Sequence, residues 1–427
     1  MLLIYRFFLN ALFPLIILII YLRTFFNKED RFRFKEKIFI NSFNISKNYK
    51  KKLIWFHAAS IGEVNSIIPL INKLNEKKEY EFLITTVTLS SAKLIKKLFN
   101  EKNIIHRFFP IDKPSLVYNF LDYWSPNLIV FVDSEIWPNF LLEIKKRKIL
   151  LILLNGRITK KTFLKWRLIS SFASKIFQTF KLCLVSNYES KKYLDFFKAH
   201  NVKYLGNLKL ASKNKATNLN KSNKTILIQS KFWCAVSTHK TEEIFCLKTH
   251  LSIKKKHEGI ITIIIPRHID RVKNIKLECD KLNLKSQILN EGEIIEEKNE
   301  IIIINSYGVV SDYLSICKSV FIGKSMIKKL EPVGGQNPIE AAKFGCKIYH
   351  GPFIYNFEEL YNILNEYKIT EKINDENELA KKLSIDLFDS GTINNNAIEN
   401  INKLGNKILL NTFYEIEKVI KNENFEA

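Results

Sequence analysis

The sequence predicts a parallel α/β protein made of two similar halves behind an N-terminal membrane anchor. Three observations predict it. Short apolar runs alternate with amphipathic stretches along most of the chain, a polar low-complexity segment interrupts that alternation once, and an almost unbroken apolar stretch opens the sequence. Strand and helix in alternation argue for a parallel sheet covered by helices. At roughly 150 residues per domain, 427 residues leave room for two or three domains. A hydrophobic share of 46% is enough to bury large cores, which excludes disorder throughout.

The opening stretch, Leu2 to Phe26, is broken only by Arg6, Asn10, Pro14 and Arg23. Its cleanest run, Phe7 to Leu22, is shorter than the roughly 20 residues that cross a hydrocarbon core comfortably. No small-x-small cleavage site precedes the charges that follow. Arg23, Lys28, Arg31, Arg33, Lys35 and Lys37 then place this flank on the cytoplasmic side and attract anionic head groups. Residues 1–26 are expected to be an uncleaved anchor, spanning or monotopic, with a removed export signal as the competing reading. Six scattered cysteines without a C-x-x-C pair read as reduced, structural thiols, which suits a cytoplasmic body.

In the first half, strand-like runs fall at Leu53–His57, Glu81–Thr85, Leu128–Val132, Ile149–Leu154 and Leu182–Ser186. Amphipathic helices are expected at Ile68–Asn75, Ser91–Phe99 and Trp137–Lys146. Residues 211–224, ASKNKATNLNKSNK, have linker composition. The alternation restarts with Phe232–Val236, Ile260–Ile265, Ile301–Ile304, Val320–Gly323 and Lys347–His350. The expected organisation is an anchor at 1–26, a first domain at 27–210, a linker at 211–224, a second domain at 225–393, and a terminal helix at 394–427 that returns to the first domain.

Ligands of open α/β sheets bind beyond the carboxyl ends of the strands. The first strand ends in His57-Ala58-Ala59-Ser60-Ile61-Gly62-Glu63, where small residues admit a ligand to the backbone. Glu63, in the first turn of the next helix, is either a partner of the helix dipole or a functional carboxylate. Thr85-Thr86-Val87-Thr88 offers hydroxyls for a cap or a ligand. Asp133-Ser134-Glu135 places two carboxylates at a strand end, too few ligands for a metal site. Asn155-Gly156-Arg157 closes the next strand. In the second half, Ser237-Thr238-His239 and Pro266-Arg267-His268 end strands, and an arginine there suits a phosphate. Gly334-Gly335-Gln336-Asn337-Pro338-Ile339-Glu340 reads as a glycine turn before a helix, either a plain turn or a phosphate cradle with Glu340 on a ribose.

Taken in order, these pieces resemble the 3-deoxy-D-manno-octulosonic acid (Kdo) transferase family, glycosyltransferases of lipopolysaccharide biosynthesis. The matching segments are His57–Glu63, Thr85–Thr88, Asp133–Asn139, Asn155–Arg157, Gly206–Lys209, Ser237–His239, Pro266–His268, Glu331–Glu340 and Gly351–Phe357. The resemblance implies a GT-B fold, two Rossmann-like domains facing a cleft. It implies the donor CMP-Kdo on the second domain and the acceptor lipid IVA, a lipid A precursor, on the first, at the cytoplasmic face of the inner membrane. By that analogy Glu63 is the general base and Glu135 a second catalytic carboxylate in a metal-independent, inverting transfer that needs no cofactor. His57, Ser60, Gly62, Thr85, Thr86, Asn155, Arg157 and Lys209 would line the acceptor side. Ser237, His239, Pro266, Arg267, His268, Gly334, Gly335, Asn337 and Glu340 would hold CMP. The chain departs from the family at Ser90-Ser91, where Thr-Gly is usual, at Tyr307–Val310, which lacks a carboxylate, and at Gly323-Lys324-Ser325, where Gly-Gly-Ser is usual. The last two changes touch donor-side loops.

The net charge of +24 fits a polyanionic partner: anionic membrane lipids and a phosphorylated acceptor on this reading, with no nucleic acid. A GT-B enzyme using another nucleotide sugar, and a non-enzymatic basic polyanion-binding protein at the membrane, are the alternatives. The second leaves the strand-end carboxylates unexplained.

Overall fold

A computed structural model describes residues 1–39, 51–99, 101, 103–213, 218–388 and 395–422. Two compact units result, one comprising residues 1–213 with 404–427, the other residues 214–403.

The first unit carries seven parallel strands: β1 Lys52–His57, β2 Tyr80–Thr86, β3 Ile104–Phe108, β4 Leu128–Val132, β5 Leu150–Gly156, β6 Leu182–Val185 and β7 Val202–Tyr204. Their order is β3-β2-β1-β4-β5-β6-β7, with Lys52 to His57 of β1 in register with Tyr80 to Thr85 of β2. The central strands are buried on both faces, which is why they read as continuous apolar runs. Trp55 anchors one side of the core, its ring centroid 4.8 Å from that of Phe120 and 5.5 Å from Phe131 and Phe140.

The second unit repeats the plan with β8 Lys231–Thr238, β9 Ile260–Pro266, β10 Ser286–Leu289, β11 Ile301–Ile304, β12 Ser319–Ile322, β13 Lys347–His350 and β14 Thr370–Lys372, ordered β10-β11-β9-β8-β12-β13-β14. Each sheet therefore has a topological switch point, between β1 and β4 in the first and between β8 and β12 in the second.

The linker expected at 211–224 is shorter than its composition suggests. Residues 214–217 lie outside the described residues, and Asn220 caps a helix at Lys221–Gln229 by accepting from Ser222 N–H. The expected boundary at 393/394 also lies outside them. The terminal helix Asn395–Asn422 enters the first unit at Leu404. Gly405 lets it pass so close that a Cβ there would stand 2.3 Å from the Leu210 carbonyl oxygen. Farther along, Glu415 pairs with Lys203 at 2.6 Å and Glu417 with Lys77.

The apolar opening forms one helix, α1, over Leu2–Phe25, with Pro14 inside it. By length and composition it is able to cross a membrane. All six cysteines are buried and free.

Candidate active site

At the switch point of the first sheet, β1 ends and helix α2, Ile61–Asn75, begins. Ser60 caps it: its Oγ accepts from Glu63 N–H, while Glu63 reaches back. One Glu63 oxygen accepts from Ser60 Oγ at 2.7 Å and the other from Ala59 N–H at 2.8 Å, a variant of the capping box that reaches one residue farther back. The carboxylate is thus held to one orientation before any ligand arrives. Burial pushes its pKa up to about 7, Asp133 and Glu135 add repulsion, and the Ser60 and Ala59 hydrogen bonds oppose the rise.

Glu135, from the turn after β4, has the opposite character. Burial raises its carboxyl, but the hydrogen bond and charge of His57, with a 2.8 Å bond from Trp137 Nε1, outweigh burial and hold it below the ordinary range. Two carboxyls at one strand-end cluster are thereby pushed apart, one poised to exchange a proton near neutrality and one kept anionic. Asp133 adopts a left-handed backbone, φ 63°, and binds Lys209 Nζ at 2.8 Å. Arg157 N–H donates to the Asp133 carbonyl, and Asp133's charge offsets the cost of burying the Arg157 side chain.

Several expected acceptor ligands are placed inside the protein. His57 is fully buried, stacked on Phe109 at 3.8 Å, with Nδ1 3.0 Å from the Thr85 hydroxyl and Nε2 3.2 Å from Glu135. Thr85 and Thr86 are also fully buried. Thr85 Oγ1 accepts from Trp55 Nε1, and Thr86 Oγ1 lies 2.9 Å from His106 Nε2. Asn155, φ 54°, accepts from Leu208 N–H and so fixes the turn that presents Lys209. These four support the site from behind. Thr85 and Thr86 point to opposite faces of the sheet, and both are buried because the sheet is covered on both sides. Ser60, Gly62, Glu63, Glu135, Arg157 and Lys209 remain at least partly accessible.

The second unit's switch point gathers cations. Arg267 and His268 are exposed after β9, and the His239 and His268 rings lie 5.8 Å apart. Burial lowers the His239 pKa, and the charges of Lys324, His268 and Arg267 lower it further. Ser237 precedes this turn with φ 57°, Pro266 is buried in β9, and Arg267 N–H donates to the Thr238 carbonyl. The glycine turn packs hard: a Cβ on Gly334 would stand 2.4 Å from the Phe353 carbonyl oxygen, and Gly335, φ 85°, donates its N–H to the Lys324 carbonyl at 2.7 Å. Its helix is only five residues, Ile339–Lys343, so its dipole is weak. Asn337 is engaged as a cap of Ile339 N–H, and Glu340 accepts from the Ser311 hydroxyl.

Sequence reasoning missed Glu242. This buried carboxylate accepts from the N–H groups of His239, Lys324, Ser325 and Met326 at 2.7–3.0 Å, tying the loops after β8 and β12 together. Its signal was an acid three residues after His239 at a helix start. Among the described residues, no group of three or more His, Cys, Asp and Glu side chains gathers as a metal site.

Two parallel sheets with these switch points define the GT-B fold. A glycosyltransferase structure from Rickettsia africae shares the fold over 88% of this chain and 100% of its own, with TM-score 0.56 and 12% identity. A family model described as 3-deoxy-D-manno-octulosonic-acid transferase (kdotransferase) matches residues 29–212. The 3-deoxy-D-manno-octulosonic acid transferase of Rickettsia bellii is 30% identical over 357 residues, 82% of each chain. That of Rickettsia felis is 31% identical over 71% of this chain, a stretch that spans 65% of the relative's own length. The chain belongs to the 3-deoxy-D-manno-octulosonic acid transferase family, and is an enzyme: a Kdo transferase of lipopolysaccharide biosynthesis.

Proposed function

We propose that this enzyme moves Kdo from CMP-Kdo to lipid IVA at the cytoplasmic face of the inner membrane, with Glu63 as general base. The observation that carries the proposal is the Glu63 carboxyl, held by its capping box and pushed up to about 7. A base is most effective when its pKa lies near the working pH. In the proposed step, an acceptor hydroxyl attacks the anomeric carbon of Kdo while Glu63 takes its proton. The bond from that carbon to the phosphate oxygen breaks, and its electron pair leaves with CMP. A single displacement of this kind inverts the anomeric centre. Glu135, kept anionic by His57 and Trp137, supports positive charge on the sugar ring. Arg157 and Lys209 favour the acceptor's phosphates.

On the donor side, the charge that grows on the departing phosphate calls for fixed cations and N–H groups. Arg267 and Lys324 supply the cations on this reading, with Ser237, Pro266, His268 and a neutral His239 shaping the pocket. The Gly334-Gly335 turn brings backbone close, and Glu340 receives the ribose. Lys324, where the family usually has glycine, adds a cation to the donor site. The surplus of basic residues and helix α1 support attachment to anionic lipid.

The test is incubation of the purified protein with CMP-Kdo and lipid IVA, following the mass of the lipid. A gain of Kdo is expected. An unchanged mass beside a working control enzyme would sink the proposal, and tighter calorimetric binding of UDP than of CMP would replace the donor.

A further inference from the structure

Helix α1 is apolar on nearly every side, the composition of a membrane span. Its contacts argue for a different placement. Tyr5, Leu9, Phe13, Ile16, Ile20 and Thr24 recur every three or four residues and are the less exposed positions, a stripe along one face. That stripe is partly covered, and it touches the first unit near its start, at its middle and at its far end. Tyr5 Oη donates to Asp112 Oδ2 at 2.8 Å, and the neighbouring Arg6 Nε donates to Asn139 Oδ1 at 2.7 Å. At mid-helix, Lys113 Nζ sits 3.9 Å from the centroid of the Phe13 ring. At the far end Ile20 and Thr24 are each only 8% exposed. From Tyr5 to Thr24 the docked length is roughly 28 Å at 1.5 Å per residue, close to the whole thickness of a hydrocarbon core, about 30 Å.

A helix docked over that length is unable to cross a bilayer without taking its partners along. Lys113 would lie at the bilayer centre, where a charged side chain costs roughly 2.5–3.5 kcal/mol or more, and Asp112 would have to lie beyond it, on the far side. The opposite face of α1 shows what covers it. Leu3, Phe7, Phe8, Leu15, Leu18 and Leu22 are all exposed, an apolar surface too large for a soluble monomer. Exposed aromatic rings follow at the end of the helix and beyond it, Phe25, Phe26, Phe32 and Phe39, interleaved with exposed Lys28, Arg31 and Lys35. Apolar rings beside cations on one surface suit the boundary between acyl chains and anionic head groups.

We infer that α1 is a monotopic anchor: it lies in the plane of the cytoplasmic leaflet, one face on the first unit and the other in an anionic lipid surface. The inference rests on the membrane attachment proposed above and adds its geometry. Asn139 opens the helix that follows the Asp133–Glu135 turn, so Arg6 ties that turn to the anchor. The strand-end carboxylates are thereby held at the level of lipid head groups, where a lipid-borne acceptor presents its sugars.

The experiment uses the full chain bound to vesicles of phosphatidylethanolamine and phosphatidylglycerol. Because the native cysteines are all buried, a nitroxide on Leu12→Cys, an exposed site near mid-helix, reports α1 alone. A depth of about 5–10 Å is expected for an in-plane helix. About 15 Å, the centre of a 30 Å core, would overturn the inference and leave attachment standing. A cysteine in a short tag ahead of Met1 gives a second reading with membrane-impermeant maleimide. It should label in inside-out vesicles and stay protected in spheroplasts, as Lys28→Cys does; labelling of the tag from outside would overturn the inference. Failure to float with vesicles would sink attachment itself. A lipid-free dimer with coupled nitroxides would make a second copy the occupant, and refute the inference.

Discussion

Replacing Glu63 by glutamine tests the chemistry and the physics of the site together. Glutamine serves equally at the third position of a capping box, so Glu63→Gln keeps the start of helix α2 while removing the ionisable group. Transfer should fall by about 10²–10⁴-fold, the usual contribution of a positioned base, while CMP binding is unchanged. Stability should move the other way. Burial lifts the carboxyl from 4.5 to about 7; at 1.36 kcal/mol for each tenfold change, holding it ionised costs the folded state roughly 3 kcal/mol. The folded value lies above the unfolded one, so the group's favourable contribution is complete below about pH 4.5, fades as pH rises to about 7, and is absent above. The gain in stability of Glu63→Gln over the parent should therefore open between pH 4.5 and 7 and then stay level, reaching about 1–3 kcal/mol once weaker hydrogen bonds to the amide are allowed for. Urea melts across pH, beside the lipid mass assay, read both quantities. Full turnover in the variant would remove Glu63 from the base role. A stability gap independent of pH would refute burial as the source of the raised value.

The parent's kcat/KM should rise with pH through about 7, and Asp133→Asn, which removes a repelling charge, should move that limb to lower pH. A pH–rate profile of both proteins decides it. Lys324→Gly should stabilise the fold by up to about 1 kcal/mol, because it relieves a left-handed lysine at φ 60°, yet weaken CMP binding about tenfold or more through the lost cation. Thermal melts and calorimetry should show the opposed changes, and unaltered CMP affinity would remove Lys324 from the donor site. Glu242→Gln should destabilise the second unit by about 2–4 kcal/mol, since one amide oxygen replaces two carboxylate oxygens serving four N–H groups; urea unfolding measures it.

The sheets were legible in the sequence at their centres and obscure at their rims. Each of the ten central strands is an apolar run of its own, as β4 and β11 show. The four that the apolar pattern misses, β3, β7, β10 and β14, are the edge strands of the two sheets. An edge strand is covered by fewer neighbours, and these carry partly exposed residues such as Val202 to Tyr204, so no continuous hydrophobic signal marks them. The linker shows the converse error. Its Lys, Ser and Asn look like loop, but Asn220 is a cap and Lys221 starts a helix.

The site divides in the same way. Strand ends point to the switch-point clusters, where a parallel sheet gathers polar side chains. They do not tell which side chains face out. His57, Thr85 and Thr86 end their strands as Glu135's neighbours do yet are buried, because the layers covering both faces of the sheet extend over these strand ends. Glu63 stood between a helix-end role and a catalytic one; its geometry fills the first while giving it the acidity suited to the second. Glu242 was invisible as a hub because its four partners come from two loops separated by more than eighty residues.

The terminal helix has a consequence for biosynthesis. The first unit is discontinuous, its last part being residues 404–427. A ribosome making this chain delivers helix α1 and most of the first unit before the second unit, and the piece that completes the first unit only after it. The first unit therefore spends most of translation unfinished, with the groove around Leu210 and Gly206 uncovered. A premature stop near residue 400 would leave the second unit's sheet whole and still spoil the first.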